Sequence, residues 1–500
     1  MGGPERVERQ HASGRLTVRE RIERLFDAGS FRETGAIAGR ATYEEGELTG
    51  FVPANMVVGQ GRIEGRRAVV QGDDFTVRGG AADAAIWQKM VYAERLAHDL
   101  RLPLVRLVDG TGGGGSVRSL EEMGYTYVPH VPGWDLTVAN LSRVPVAAAA
   151  LGPVAGLGAA RVVAAHFSTI VRGTAQLFVA GPPVVAAAMG ETPDKEMLGG
   201  ARAQAAAGAV DNVAADEDDA LAQIKAFLSY LPGSVWEPPP VLASSDPPER
   251  REEELLSAVP RESRRPYDMR SILEAVFDRG SVFEMGARYG RPLVTSLARL
   301  GGRPVGVLAS DPNHYGGGLT GDGSDKLSRF VDLCDQFHLP VVNFVDQPGF
   351  VIGTAAERAG TMRRGTRAVF AAYQASVPWV SIIVRKVFGV AGSGHGNAQA
   401  LNLRYAWPSG DWGSLPIEGG IEAAYRRELE AAEDPAAARA EIVERLNAVR
   451  SPFRTAERFG IEEIIDPRDT RPILCDWAER AHELVAHETA AGPKGRGLRP

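Results

Sequence analysis

Apolar residues follow two different spacings along this chain. In its C-terminal half, residues 305–309 and 340–345 are short apolar runs, which are typical of buried strands. Residues 326–337 lie between them and place apolar side chains on one face of a helix. The N-terminal half repeats this order. Strand, glycine turn, helix and strand in succession predict an α/β fold whose functional groups lie in the turns beyond the strand ends.

The repetition extends over most of the chain. Three blocks of the first half align, in the same order, with three blocks of the second half. They are residues 26–35 with 277–286 at a shift of 251, residues 65–109 with 302–346 at a shift of 237, and residues 144–158 with 377–391 at a shift of 233. Periods of this length exceed those of solenoid repeats, so the blocks indicate duplication of a whole domain.

The boundary between the two copies is predicted from composition. Residues 232–270 are rich in Pro, Ser and charge and carry little apolar periodicity, as a linker does. We therefore predict two similar domains, residues 1–246 and residues 247–500.

A glycine-rich turn follows an apolar run at the same place in both copies, at residues 152–158 and at residues 385–392. A turn that leads into a helix exposes unpaired backbone N–H groups, and these can hydrogen bond a developing negative oxygen. The alternative is that the glycines only permit tight turns and close packing. Their occurrence at matched positions favours an oxyanion hole.

Composition narrows the possible functions. With 500 residues, 44% of them hydrophobic, the chain is long enough for two domains. A net charge of -7 with mixed signs argues against nucleic acid as a partner. No apolar stretch reaches roughly 18 residues, so no membrane association is expected. Two distant cysteines, Cys334 and Cys475, favour a cytoplasmic location and exclude a four-thiolate zinc site.

Charged residues near the glycine turns have two possible roles each. Asp109 and Asp346 end matched strands and could act as acids or bases, or could form turns. Arg385 and Lys386 precede the second glycine turn and could bind phosphate or carboxylate, or could serve packing and surface charge. Both alternatives stay open for these four residues.

Two further patterns are weak. Ser393 and His395 could form a nucleophile and a base, but the segment lacks the spacing of a nucleophile elbow. His482 and His487 are five positions apart, which separates them by about 140° on a helix, so no metal site is expected. The chain also lacks a Met-Lys-Met motif and a phosphate-binding P-loop.

Six short motifs stand in a characteristic order: DFTVRGG at residues 74–80, LGGAR at 198–202, DQPGF at 346–350, RRG at 363–365, VRK at 384–386 and YAWP at 405–408. In this order they resemble the carboxyltransferase (β) subunits of propionyl-CoA, acetyl-CoA and methylcrotonyl-CoA carboxylases. The resemblance covers nearly the whole chain. It implies two duplicated crotonase (ClpP)-like domains with ββα superhelical organisation, assembled as a homo-oligomer between a dimer and a hexamer.

The resemblance also implies a reaction. Carboxybiotin, presented by a biotin carboxylase or biotin carrier subunit, would give its carboxyl group to the α carbon of an acyl-CoA. In that family the biotin ureido nitrogen removes the α proton, so no side-chain base is required. The cofactor would be biotin, the substrate a CoA thioester, and no metal would be needed. Because the chain lacks the Met-Lys-Met attachment motif and a P-loop, biotin and its ATP-dependent carboxylation would have to reside on a partner. Backbone donors for two oxygens are then the main contribution of the chain.

The family pattern falls on particular residues. The two oxyanion holes would be formed by Gly156 and Leu157 and by Val390 and Ala391. Cofactor binding is expected at glycines in these two turns and in the turns that follow the preceding strands, namely Gly79, Gly80, Gly112, Gly113, Gly158, Gly316, Gly317 and Gly389.

The chain departs from the family pattern beside both holes. Leu157 and Val390 stand where the family usually has glycine, and residues 392–396 replace a segment with an aromatic and an acid near the acyl pocket. The second departure predicts a different acyl group. Two alternatives therefore remain, a decarboxylase of malonyl-CoA or methylmalonyl-CoA type on the same fold and a non-catalytic assembly subunit.

Overall fold

A computed structural model describes residues 1–81, 86–110, 120–121, 123–128, 130–396 and 400–489. The chain forms two compact units. One is Met1–Glu237 together with Thr489, and the other is Pro238–Glu488. The limits of the duplicated domains at residues 246 and 247 stay a prediction.

The described part of the first unit contains helices and strands in alternation. The strands are β1 (Arg32–Thr34), β2 (Gly39–Glu44), β3 (Glu47–Pro53), β4 (Met56–Ile63), β5 (Arg66–Asp73), β6 (Leu104–Val108), β7 (Val146–Ala150), β8 (Pro153–Ala155), β9 (Phe167–Val171), β10 (Gln176–Phe178) and β11 (Asn212–Ala214). The helices are α1 (Pro4–Ala12), α2 (Val18–Leu25), α3 (Trp87–Leu100), α4 (Trp134–Asn140), α5 (Leu157–Val163), α6 (Pro182–Met189), α7 (Lys195–Gly199), α8 (Ala201–Ala206) and α9 (Glu217–Tyr230).

One mixed sheet organises this unit, with the strand order β1-β4-β5-β6-β7-β9-β11. The pairs β1/β4 and β4/β5 are antiparallel, and the pairs from β5 to β11 are parallel. Central strands β6 and β7 are buried along their whole length, as parallel strands covered on both faces are. Helix α9 packs on β7 and β9.

The second unit repeats the alternation. Its strands are β12 (Phe283–Met285), β13 (Leu293–Leu300), β14 (Arg303–Ser310), β15 (Val341–Gln347), β16 (Trp379–Phe388), β17 (Asn402–Ala406), β18 (Asp411–Gly413) and β19 (Glu463–Ile464). Its helices are α10 (Met269–Val276), α11 (Gly321–Gln336), α12 (Thr354–Arg358), α13 (Thr361–Gln374), α14 (Gly389–Ser393), α15 (Ile417–Ala424), α16 (Arg426–Ala431), α17 (Pro435–Asn447), α18 (Pro452–Ala456) and α19 (Thr470–Glu488).

The second sheet has the topology of the first. Its order is β12-β13-β14-β15-β16-β17-β19, with β18 added beside β16. The first two pairs are again antiparallel and the following pairs parallel. The prediction of a duplicated α/β fold is therefore confirmed. The core of this unit lies on one face of the sheet and includes Phe344 and Trp407, which are fully buried.

Local signals explain where elements begin. The predicted helix at residues 326–337 begins earlier, at Gly321, because the Thr320 hydroxyl caps the first turn by accepting a hydrogen bond from the Gly323 N–H at 3.0 Å. The Pro-rich segment predicted as a linker has little regular structure, yet it packs on the second unit. Arg250 donates from its guanidinium to the carbonyl of Phe277 at 2.9 Å, and Leu255 is buried in the core.

No helix in the described part of the chain has both the length and the apolar character needed to cross a membrane.

Candidate active site

The candidate loops lie at the carboxyl ends of three parallel strands in each unit. In the first unit these strands are β5, β6 and β7, and in the second they are β14, β15 and β16. Ligands of open parallel sheets bind at this edge, because the turns that follow the strands leave backbone groups unpaired there.

The turn after the first of these strands has the same unusual backbone in both units. Arg78, Gly79 and Gly80 have φ angles of 51°, 64° and 65°. At the matched positions Tyr315, Gly316 and Gly317 have φ angles of 51°, 62° and 85°. Consecutive left-handed residues are costly for side chains with a Cβ, so this conformation explains the matched glycine pairs.

Close backbone approach gives a second reason for glycine here. A Cβ on Gly80 would lie 2.5 Å from the carbonyl oxygen of Asp109, and a Cβ on Gly317 would lie 2.0 Å from that of Asp346. Both distances are shorter than any tolerable contact. The first turn of each copy is therefore held against the end of the next strand.

The first candidate oxyanion loop is Gly156 with the first turn of α5. Gly156 has φ 57° and ψ -119°, a conformation open to glycine, and a Cβ there would meet open space. Its own N–H donates to the carbonyl of Phe178 at 3.1 Å. The N–H groups of Leu157 and Gly158 lie in the first turn of the helix, where no intrahelical acceptor exists.

Gly158 also has a packing role. A Cβ at this position would lie 2.8 Å from Cγ1 of Val154 and 3.3 Å from the carbonyl oxygen of Gly110. Gly112 and Gly113, which follow Gly110 and were expected to bind cofactor, lie outside the described residues.

The second candidate loop is formed by Gly389, Val390 and Ala391 at the start of α14. Gly389 has φ 65° and begins the helix directly after β16. Val390 is 62% exposed, whereas Ala391 is 3% exposed. The N–H groups of this first turn again have no intrahelical acceptor.

Leu157 and Val390, which depart from the family pattern, do not occupy the special backbone positions. The left-handed φ angles belong to the glycines before them, and neither Leu157 nor Val390 has a positive φ. The departures therefore change the side chains that border the loops and leave the loop conformation intact.

Asp109 is a structural carboxylate. It is fully buried and pairs with the Arg15 and Arg21 guanidinium groups, each at 2.9 Å, while the Gln10 amide donates to it at 3.1 Å. These partners come from α1, α2 and the segment between them. The network fixes the N-terminal helices to the end of β6.

Asp346 is built in the same way. It is fully buried and accepts hydrogen bonds from the Tyr267 hydroxyl at 2.9 Å and from the Arg385 guanidinium at 3.0 Å. The Lys386 backbone N–H donates to it at 3.0 Å. Of the two roles open for Asp346 and Arg385, the geometry favours structure over acid-base chemistry and phosphate binding.

Ser393 and His395 do not face each other as a nucleophile and a base would. The Ser393 hydroxyl donates to the carbonyl of Val390 at 2.6 Å, and Nδ1 of His395 lies against the carbonyl of Gly392. Burial lowers the pKa of His395, so its ring is neutral at pH 7.

The C-terminal histidines do not form a metal site. His482 is buried and its Nε2 donates to the carbonyl of Pro304 at 2.9 Å, whereas His487 is exposed. Burial lowers the pKa of His482 to about 4. Among the residues that the structure describes, no group of three His, Cys, Asp or Glu side chains is placed to hold a metal ion.

Sequence reasoning missed a buried charge network beneath α5. Arg161 donates to Asp73 at 3.0 Å and to the side-chain carbonyl of Gln71 at 2.8 Å. Arg106 donates to Glu94 at 3.0 Å. Burial raises the pKa of Asp73. The available signal was the placement of Gln71, Asp73 and Arg106 inside otherwise apolar strands.

The family model described as the carboxyl transferase domain matches residues 9–488. The propionyl-CoA carboxylase carboxyltransferase subunit of Haloferax mediterranei is 34% identical, over 94% of this chain and 91% of that protein. The methylmalonyl-CoA decarboxylase subunit alpha of Veillonella parvula is also 34% identical, over 95% of this chain and 91% of that protein.

A solved structure with the same fold is that of transcarboxylase 12S, described as a hexamer assembly with methylmalonyl-coenzyme A and methylmalonic acid bound. It superimposes with a TM-score of 0.85 at 32% sequence identity and covers 100% of this chain and 93% of that chain.

Proposed function

Because the chain belongs to the carboxyl transferase domain family, we propose that it moves a carboxyl group between biotin on a carrier protein and the α carbon of an acyl-CoA. The relatives named above act on propionyl-CoA or methylmalonyl-CoA by their descriptions, which supports a CoA thioester as the substrate.

The observation that carries the proposal is the pair of matched loops. Each places a left-handed glycine and a first helical turn at the carboxyl edge of a parallel sheet. The proposed donors are the N–H groups of Leu157 in the first unit and of Val390 and Ala391 in the second. Gly156 would supply the turn and not the donor, because its N–H is paired with Phe178.

These N–H donors suit both oxygens of the proposed reaction, that of the thioester and that of biotin. A thioester enolate and the carbonyl of biotin each require neutral hydrogen-bond donors held in place, and backbone N–H groups meet that requirement without a charged side chain. Carboxybiotin would supply the carboxyl group. The matched turns at Gly79, Gly80, Gly316 and Gly317, together with Gly158 and Gly389, would let the CoA thioester and biotin approach the backbone closely.

Partners follow from the same proposal. Biotin would be presented by a biotin carboxylase or biotin carrier subunit, and the chain would form a homo-oligomer between a dimer and a hexamer. The hexamer named in the description of transcarboxylase 12S supports the second statement. We also propose a cytoplasmic location, which both buried, unpaired cysteines support.

A second candidate is supported by one comparison. The decarboxylase subunit of Veillonella parvula is as similar as the carboxylase subunit of Haloferax mediterranei. The same site could therefore remove a carboxyl group from malonyl-CoA or methylmalonyl-CoA. A non-catalytic assembly subunit is the third candidate, since Leu157 and Val390 border the loops.

One experiment separates the three candidates. The purified chain is incubated with malonyl-CoA or methylmalonyl-CoA, with and without free biotin, and loss of the carboxyl group is followed. Loss that depends on biotin supports carboxyl transfer. Equal loss without biotin supports the decarboxylase. The absence of loss with both substrates supports either an assembly subunit or a different acyl group.

A further inference from the structure

A small cavity lies directly behind the second candidate loop. It encloses about 20 Å³ between one face of the second sheet and the helices α11 and α13, and Ala391 forms part of its wall. Leu327 and Val369 reach it from the two helices. A volume of this size holds one group as large as a water molecule.

Three polar side chains of the sheet line this cavity. Asn343 and Gln347 stand on the same face of β15, where side chains alternate, and Ser310 ends the neighbouring strand β14. All three are buried, with exposed fractions of 8%, 8% and 4%. The pairing of Leu308 with Asn343 places β14 and β15 side by side at this point.

These side chains lack hydrogen-bond partners within the described parts of the chain. None of the side-chain hydrogen bonds found there involves Ser310, Asn343 or Gln347. Buried amides and hydroxyls are almost always paired, because an unpaired one costs stability. Three unpaired groups facing one cavity therefore indicate a ligand or water that completes them.

The first unit shows that the fold does not require unpaired polar side chains at these positions. By the internal duplication, Ser310 corresponds to Asp73 and Asn343 corresponds to Arg106. In the first unit both of these residues have partners, Asp73 with Arg161 at 3.0 Å and Arg106 with Glu94 at 3.0 Å. The polar side chains at these positions are paired with other protein groups in the first unit, whereas in the second unit they face the cavity.

The chemistry of the walls restricts what can enter. The described residues that line the cavity include no Asp, Glu, Lys or Arg. A carboxylate or an ammonium group would be buried there without a counter-charge, which is unfavourable. Amide and hydroxyl groups can donate to and accept from an uncharged oxygen.

Resting on the proposed function, we propose that this cavity receives an uncharged oxygen substituent, a hydroxyl or keto group, on the acyl chain of the CoA thioester. Ala391 joins the two sites, since its N–H is a proposed donor to an oxygen of the reaction and its side chain lines the cavity. Asn343 and Gln347 are then specificity-determining residues. The segment at residues 392–396, which departs from the family pattern, contributes Gly394 and His395 to the same wall.

The test compares affinities of matched thioesters for the full chain. Isothermal titration gives the Kd of butyryl-CoA, 3-hydroxybutyryl-CoA, 4-hydroxybutyryl-CoA and acetoacetyl-CoA. At least one oxygen-bearing thioester is expected to bind about tenfold more tightly than butyryl-CoA, as one or two buried hydrogen bonds would produce. The variants Asn343→Leu and Gln347→Met keep the approximate size of the side chain and are expected to remove that preference.

Controls separate this role from a structural one. Gln223→Met makes the same chemical change on α9 of the first unit and should leave the preference intact. Asn343→Leu should not lower the thermal midpoint, because it replaces an unpaired amide by an apolar group. If the two side chains served folding alone, the midpoint would fall and the Kd ratio would not move.

The outcomes are distinct. Equal affinity for butyryl-CoA and every oxygen-bearing thioester would mean that the cavity holds only water, which overturns this inference and leaves the proposed function standing. An unchanged ratio in both variants also overturns it. If the chain binds none of these thioesters, the proposed function itself fails and this inference fails with it.

Discussion

At the scale of single residues, the candidate site depends on where the backbone needs glycine and where it does not. Gly156 and Gly389 carry the left-handed φ angles, 57° and 65°, and the residues after them need only a helical backbone. This explains why Leu157 and Val390 can replace the glycines of the family pattern. The sequence could locate both loops, but it could not show which N–H groups are already paired, because that depends on contacts such as Gly156 with Phe178.

Replacing Ala391 by proline tests the second loop. Ala391→Pro removes one N–H, while proline is tolerated in the first turn of a helix. Loss of one oxyanion donor should reduce kcat by about 10²- to 10³-fold in carboxyl-transfer assays. Arg427→Pro is the matched control, since it lies at the second position of α16 and is exposed. Equal activity in both variants would show that the Ala391 N–H is not a donor to an oxygen of the reaction.

Gly317 tests the close backbone approach. Gly317→Ala combines a φ of 85° with a Cβ placed 2.0 Å from the Asp346 carbonyl oxygen. We expect a loss of about 3 kcal/mol in the free energy of unfolding, measured with urea. Gly280→Ala has a similar φ of 70° but no atom within 4 Å, and should cost about 1 kcal/mol. Similar losses in the two variants would contradict the proposed contact.

At the scale of elements, matched strands end in carboxylates that hold the architecture together. Asp109 fixes the N-terminal helices, and Asp346 ties β15 to β16. Sequence reasoning located these residues at strand ends and left two roles open. It could not decide between them, because the partners Arg21 and Tyr267 are 88 and 79 positions away in the chain.

Removing one partner of the buried pair tests this structural role. Asp346→Asn would leave the Arg385 charge without its counter-charge, so we expect the free energy of unfolding to fall by about 3–5 kcal/mol. Chemical denaturation measures it. The control Asp218→Asn breaks an exposed pair with Arg24, which solvent screens, and should leave the free energy of unfolding almost unchanged. A fully stable Asp346→Asn protein with no activity would instead favour a catalytic carboxylate.

The last helix, α19, is fixed by a histidine that is buried in its neutral form. The pKa of His482 is about 4 in the folded chain, against about 6.5 when unfolded, because burial disfavours its charge. The unfolded state therefore takes up the proton first as pH falls. The contribution of neutral His482 to the free energy of unfolding is complete above pH 6.5. It is lost between about pH 6.5 and pH 4, to a total of about 3 kcal/mol.

His482→Gln removes this titration. Between pH 7 and pH 4.5 the wild-type chain should lose about 2–3 kcal/mol more of its free energy of unfolding than the variant does. Urea denaturation at the two pH values measures the difference. Parallel losses in both proteins would show that His482 is accessible to protons in the folded state.

At the scale of the whole molecule, duplication is the feature that the sequence carries most clearly. Three pairs of blocks in the same order, each with one shift along its length, predicted two similar folds, and the two sheets share their strand order and pairing directions. Where matched positions of the two copies carry different residues, the sequence did not show what role each residue has. Asn343 and Arg106 are both polar residues within apolar strands, and only the structure separates the paired Arg106 from the unpaired Asn343.

The most direct measurement of the central claim follows a labelled carboxyl group. Methylmalonyl-CoA and malonyl-CoA labelled in the free carboxyl group are incubated with the chain and free biotin, and the label on biotin is measured. The account predicts labelled biotin with the wild-type chain and with Arg427→Pro, and at least about a hundredfold less with Ala391→Pro. Label released only as carbon dioxide, at the same rate with and without biotin, would contradict it.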